Sequence, residues 1–207
     1  MQKWNFARWQ RSFYLACGLY TVSWLIGIAM TLTFAPQQVL QNLQIAPGQM
    51  HDAWYYISHN VGVEGLLLIG ACTFGLGTGL VLCLNGLFDG ILATAIARHY
   101  GFNVLLAGLL PHGLFEACAW ILISTCGFLL SSRFKHIIST LWNNRSIDTS
   151  AYTTNASVGT PPTINSTRSI LSIRNVYFRL IIASTLLLVL AGIIEAYVSP
   201  MLISSVR

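Results

Sequence analysis

Apolar residues in this chain gather into long runs instead of alternating with polar ones. Five such segments cover 12–34, 60–84, 86–110, 112–131 and 177–199, with shorter polar stretches between them. A helix of about 20 apolar residues spans the hydrocarbon of a bilayer, so runs of this length predict transmembrane helices. The expected fold is all-α: one membrane domain over 1–207, a polytopic transmembrane helical bundle of about five spans. The third run carries an interruption, "IARHYGFN", with Arg98, His99, Tyr100, Gly101 and Asn103. An arginine at mid-bilayer costs at least about 3 kcal/mol on insertion scales. The third span is therefore expected to be broken near Arg98–Asn103, where the break must line a cavity or reach an interface.

Shorter signals subdivide the pattern. Gly75 and Gly79 are four apart, as are Gly86 and Gly90, a spacing that lets helices approach closely in lipid. Asn85-Gly86 reads as a turn between the second and third spans, with Asp89 placed to cap the helix that follows. The stretch "HDAWYYIS" reads as a short amphipathic helix lying on the outer surface. Residues 143–169, "NNRSIDTSAYTTNASVGTPPTINSTRS", hold almost no hydrophobes and read as a flexible cytoplasmic linker.

Composition agrees with lipid as the solvent. Of the 207 residues 55% are hydrophobic and 8% charged, against about 25% charged in soluble domains. The net charge of +5 is then an orientation signal and a headgroup contact, not a nucleic-acid footprint. Lys3, Arg8 and Arg11 precede the first run, and Arg133, Lys135, Arg145, Arg168, Arg174 and Arg179 flank the long polar segment. Residues 35–58 contain no Lys or Arg. The N-terminus and the 132–176 loop are accordingly expected in the cytoplasm, with 35–58 outside, in a multi-pass protein of the cytoplasmic membrane. Five crossings satisfy that arrangement; a re-entrant third segment would put the basic loop outside. Trp4, Trp9 and Tyr14 suit the inner interface. Cys17, Cys72, Cys83, Cys118 and Cys126 all lie in apolar runs and read as buried thiols, not a disulfide framework. If the 143–169 loop is cytoplasmic, its three N-x-[ST] sequences are chance matches.

The acids then stand out. Glu64, Asp89, Glu116 and Glu195 lie within or at the edge of apolar runs, and only Asp52 and Asp148 fall in polar loops. Intramembrane acids are expensive, so each must pair, carry a proton or face water. In "PHGLFEACAW" Pro111 suits a helix start, and His112 and Glu116 then stack at i and i+4. Two readings are open: a proton-relay or metal pair, or a polar clamp between helices that also satisfies Arg98. The candidate intramembrane polar cluster is Asn60, Glu64, Asn85, Asp89, Arg98, His99, His112, Glu116 and Glu195. Arg98 reads as the structural partner of one of these acids, and Glu195 as interfacial. No HExxH, no Cys/His cluster, no G-x-S-x-G and no Walker sequence occurs, so no catalytic set and no cofactor are expected. His112 and Glu116 alone are too few for a closed metal site.

These residues also carry a resemblance. "HN" at 59–60, "NGLFDG" at 85–90, "LLPHGLFEACA" at 109–119 and "AGIIEAYVSP" at 191–200 are similar, in order, to the pattern of the stage II sporulation protein M family. The matching positions are Asn60, Asn85, Gly86, Gly90, Pro111, His112, Gly113, Glu116, Glu195 and Pro200. Family members often place a basic residue shortly after the first Asn, whereas "NVGVEG" offers Glu64. The resemblance implies a multi-pass subunit acting through partners. The named member works with cell-wall-degrading proteins during engulfment, while relatives occur in non-sporulating bacteria and archaea and some accompany circular-bacteriocin export. The expected function is a non-enzymatic scaffold or partner-recruiting subunit. Expected partners are the lipid bilayer and membrane or membrane-associated proteins, with a homo-oligomer open and no nucleic acid. The alternatives are a transporter component using the His/Glu/Arg groups and, third, an intramembrane metal-dependent enzyme.

Overall fold

The computed structural model describes residues 6–34, 52–148 and 165–206. Lys3, Trp4, the polar stretch 35–51 and residues 149–164 of the expected linker lie outside them. The described residues form helices and turns with no strand. In chain order they are α1 (Phe6–Phe34), α2 (Ala53–Ile69) with a 3-10 turn (Gly70–Thr73), and α3 (Leu76–Tyr100). Then come α4 (Phe102–Gly108), α5 (Leu110–Asp148), α6 (Asn165–Ile193) running through a π-helical turn (Ile194–Val198), and α7 (Ser199–Val206). Four stretches, Phe6–Phe34, Leu76–Tyr100, Leu110–Ser139 and Asn175–Val206, are long and apolar enough to cross a membrane. At 17 residues α2 is shorter than the roughly 20 a span requires, and the 3-10 turn lengthens it.

The all-α architecture expected from the apolar runs is what forms, with several boundaries moved. "HDAWYYIS" is no separate surface helix: Asp52 caps α2, its carboxylate accepting from the Trp54 amide, and the helix runs straight on to Asn60 and Glu64. The expected 60–84 span divides at Phe74-Gly75, where consecutive φ values of +56° and +90° turn the chain back. Phenylalanine rarely adopts a left-handed conformation, which is why nothing in "GACTFGLG" marked the turn there. Asn85-Gly86, expected to turn, lies inside α3. The Asn85 amide donates to the Val81 carbonyl one helical turn back, and Gly86 is a notch for α1. Asp89 is likewise mid-helix and caps nothing. The expected break near Arg98–Asn103 forms at Gly101, whose φ of +92° separates α3 from α4. Helix α5 continues to Asp148 and α6 begins at Asn165, so both ends of the expected 143–169 linker are helical.

Helix α1 lies along α3, and α5 joins α1 and α3 on one side to α2 and α6 on the other. Small residues set the α1–α3 spacing. A Cβ on Gly90 would sit 2.1 Å from the Trp24 carbonyl oxygen, and one on Gly27 2.2 Å from that of Leu87. Gly86 faces the Tyr20 carbonyl in the same seam. Ala16, Leu67, Leu82, Ala119, Trp120, Ile123, Cys126 and Leu188 form the main core. A smaller cluster of Ile96, Val104 and Ile203 joins α3, α4 and α7. Large apolar side chains such as Phe34 and Leu76 are about 80% and 79% exposed, a surface suited to lipid and not to water.

The two ends of the bundle differ. Arg11 and Lys135 line the same crevice as Phe74-Gly75 at one end, with Arg133 and Arg8 close to Tyr177. The other end holds the Arg98–Thr31 contact, His112 and the π turn.

Candidate functional site

Four intramembrane carboxyl groups anchor the polar interior, each meeting a different helix. Glu64 of α2 is 4% exposed and accepts hydrogen bonds from the Ser184 hydroxyl and, at 2.9 Å, from Thr185, both on α6. Glu116 of α5 accepts from the Asn60 amide of α2 at 2.6 Å. Asp89 of α3 accepts from the Tyr20 hydroxyl of α1 at 2.7 Å. Glu195, in the π turn, lies 3.9 Å from His112 Nε2, while His112 Nδ1 is 3.1 Å from the Ser199 hydroxyl.

Local structure explains each placement. Pro111 is the second residue of α5, where its missing N–H costs no hydrogen bond, so His112 follows in the first turn. The i,i+4 spacing does put His112 and Glu116 on one side of α5, but their side chains part: His112 reaches the α6–α7 junction and Glu116 reaches α2. The π turn widens the helix by one residue per turn, a feature common at functional sites. It brings Glu195 and Ser199 to the same imidazole.

Glu64, Asp89 and Glu116 thus take neutral partners: hydroxyls and an amide. A buried ionised carboxylate without a cation is costly, and hydrogen bonds offset part of that. Glu116 also feels the charge of Asp89, and Glu195 that of Glu116, so these three acids, the carboxyl file, are linked electrostatically through Glu116. Glu64 belongs to a separate α2–α6 clamp.

The remaining candidates have other contacts. Arg98 is exposed, and its guanidinium Nη1 donates to the Thr31 carbonyl at 3.0 Å. The last four carbonyls of a helix have no partner within it and carry the negative end of its dipole, so Arg98 closes the C-terminus of α1. His99 is exposed, edge-on to Tyr100 with ring centroids 4.4 Å apart. Asn85 is occupied by its own helix. Gly113 has ordinary contact with Leu109, and Pro200 enters α7 at its second position. Among the described residues no three His, Cys, Asp or Glu converge as metal ligands do. His112 and Glu116 do not face a common point.

The sequence reading missed Tyr20, Ser184, Thr185 and Ser199. Serine and threonine are common in membrane helices, where their hydroxyls bond their own backbone. Tyr20 was the most detectable of the four, since a mid-span Tyr hydroxyl needs a partner.

Against known proteins, a 73-residue stretch is 36% identical to an uncharacterized protein of Methanocaldococcus jannaschii, covering 35% of this chain and 41% of that relative. The match therefore spans about two fifths of that relative's length. No solved structure matches. The profile of stage II sporulation protein M matches residues 14–200, a range that holds every carboxyl group described above and the Pro-His-Gly start of α5. Together with the bundle of apolar helices, that coverage makes this chain a multi-pass membrane protein of the stage II sporulation protein M family.

Proposed function

We propose that this chain is a non-enzymatic subunit of the cytoplasmic membrane that holds partner proteins, in a wall-remodelling or export complex, on a rigid helical frame. The supporting observation is how the intramembrane polar groups are used. Glu64, Asp89 and Glu116 each tie two helices together through a side chain of the neighbour. Interhelical hydrogen bonds of this kind contribute about 0.6 kcal/mol each on average in membranes, enough to select one packing without a catalytic role. Broad exposed apolar faces remain for neighbouring helices. Arg8, Arg11, Arg133 and Lys135 at one end favour that end, and with it the N-terminus, in the cytoplasm. Chemical cross-linking in native membranes followed by purification in mild detergent tests the reading. Reproducible membrane or wall-associated companions are expected; a chain that is always isolated, with its physiological effect intact in purified form, overturns it.

A second reading, a transport component, is favoured by the file of Asp89, Glu116 and Glu195 beside His112 and by the break at Gly101. Ion flux into proteoliposomes, wild type against His112→Ala and Glu116→Gln, separates the two. A flux lost in both variants supports transport, and identical flux in all three removes it.

A further inference from the structure

The basic end of the bundle contains a crevice that the polar clamps do not use. It has a volume of about 560 Å³, within the roughly 300–1,000 Å³ of small-ligand sites, and lies between α1, the Phe74-Gly75 turn and α5. Its wall changes character with depth. Arg11 and Lys135 stand at the mouth, both exposed, and neither has an ion-pair partner among the described residues. Ser12 adds a hydroxyl at the same level. The Ser131 and Ser132 protons are already given to backbone carbonyls, so they are not donors to a ligand. Below the mouth the lining is Leu15, Leu19, Leu80 and Phe128. Gly79 lies between Leu19 and Phe128 in that lower part, with room even for an added Cβ, which would come no closer than 3.8 Å to either.

Two cations above an apolar slot is complementary to an amphiphile with a phosphate head and a hydrocarbon tail. A soluble phosphate would use the mouth alone and make no use of the apolar slot, while a neutral lipid would leave two cations without a counter-charge at the membrane surface. Phe74 also lines the crevice and adds an aromatic ring to its apolar wall. Basic pockets between membrane helices are also suited to anionic headgroups on general grounds.

We propose that the crevice between α1 and α5 binds one anionic phospholipid, its phosphate between Arg11 and Lys135 and an acyl chain along Leu15, Leu19 and Leu80. The site lies apart from the carboxyl file, so it stands whether the chain recruits partners or transports.

The test is native mass spectrometry of the full chain released from vesicles of phosphatidylcholine containing a minor, known share of phosphatidylglycerol. One retained phosphatidylglycerol per chain is expected, enriched at least about tenfold over its bulk ratio to phosphatidylcholine, which is about 1.4 kcal/mol of preference. The double variant Arg11→Gln/Lys135→Gln should lose that enrichment. Arg179→Gln removes a charge outside the crevice and should keep it. Leu80→Trp, at a position already 62% exposed, should fill the slot and reduce retention with both cations present. Equal retention of the two lipids overturns the proposal. So does a loss in Arg179→Gln as large as in the double variant, which would indicate diffuse surface charge. Displacement of the lipid by millimolar inorganic phosphate would assign the mouth to a free anion and overturn the lipid source.

Discussion

Gly90→Ala adds a single methyl group where a Cβ would meet its nearest neighbour at the shortest distance among the described glycines. The new carbon would stand 2.1 Å from the Trp24 carbonyl oxygen and 3.1 Å from the Ile28 nitrogen, both backbone atoms of α1. Neither can rotate away, so the helices must separate by about 1 Å to restore ordinary contact. A gap of that size forfeits roughly a quarter to a half of each atom pair's attraction. At ~0.1–0.2 kcal/mol per pair over a few tens of pairs, the loss is about 2 kcal/mol, in line with the usual cost of overpacking. The substitution also removes a glycine from a helix, which contributes up to about 1 kcal/mol in the opposite direction. The net expectation is a loss of about 1–2 kcal/mol. Gly18→Ala is the matched comparison: it lies on α1 with nothing within 4 Å, so only the propensity gain applies and stability should hold or rise. Reversible unfolding by sodium dodecyl sulfate in mixed micelles, followed through the fluorescence of the six tryptophans, measures both. If Gly90→Ala unfolds with the wild type, or Gly18→Ala loses as much as Gly90→Ala, the close seam between α1 and α3 does not exist as described.

Other consequences are smaller in reach. Asn60→Leu strips Glu116 of its amide donor and should cost about 1–3 kcal/mol in the same unfolding assay, whereas Glu116→Gln keeps an acceptor for Asn60 and should cost less. Equal losses would show that the amide does not serve the carboxyl. Ser124 is fully buried, and its hydroxyl has no partner among the described residues, so Ser124→Ala should leave stability unchanged or raise it by up to about 1 kcal/mol. A loss above that amount would reveal a hidden partner. Arg98→Ala should speed amide exchange over the last turn of α1, because it removes the donor to the Thr31 carbonyl; unchanged exchange there would show that this contact does not hold the helix end. Cys72, exposed in the 3-10 turn at the basic end, should react with a membrane-impermeant maleimide in inverted vesicles and not in whole cells, with Cys126 unreactive in both. Labelling of Cys72 in whole cells would reverse the proposed orientation.

How legible these features were depended on the kind of signal each left. Long apolar runs announce helices because lipid leaves the backbone no other economical arrangement, and the break at Gly101 was visible because a charged residue and a glycine coincide there. Turns between buried helices leave a weaker mark. Asn85-Gly86 has the composition of a reversal, yet its glycine is needed for proximity to α1. The true reversal at Phe74-Gly75 lies in a run of small apolar residues that a helix accommodates equally well. The acids were conspicuous by their solvent. Their partners were not, since Tyr20, Ser184 and Ser199 become meaningful only once a neighbouring helix is in place. The pairing of His112 was hidden for a related reason: a shared helical face fixes where two side chains start, not which neighbour each one reaches.

The π turn at Ile194–Val198 carries one residue more than an α-helix would hold in the same height. Shortening it by one would rewind the following segment by about 100°. Ser199 would swing off the His112 imidazole and Ile203 off its seat against Gly108, although both residues would still be present. What docks the C-terminal helix is therefore the phase of the winding, which a deletion scan across these five residues would expose and a substitution scan would miss.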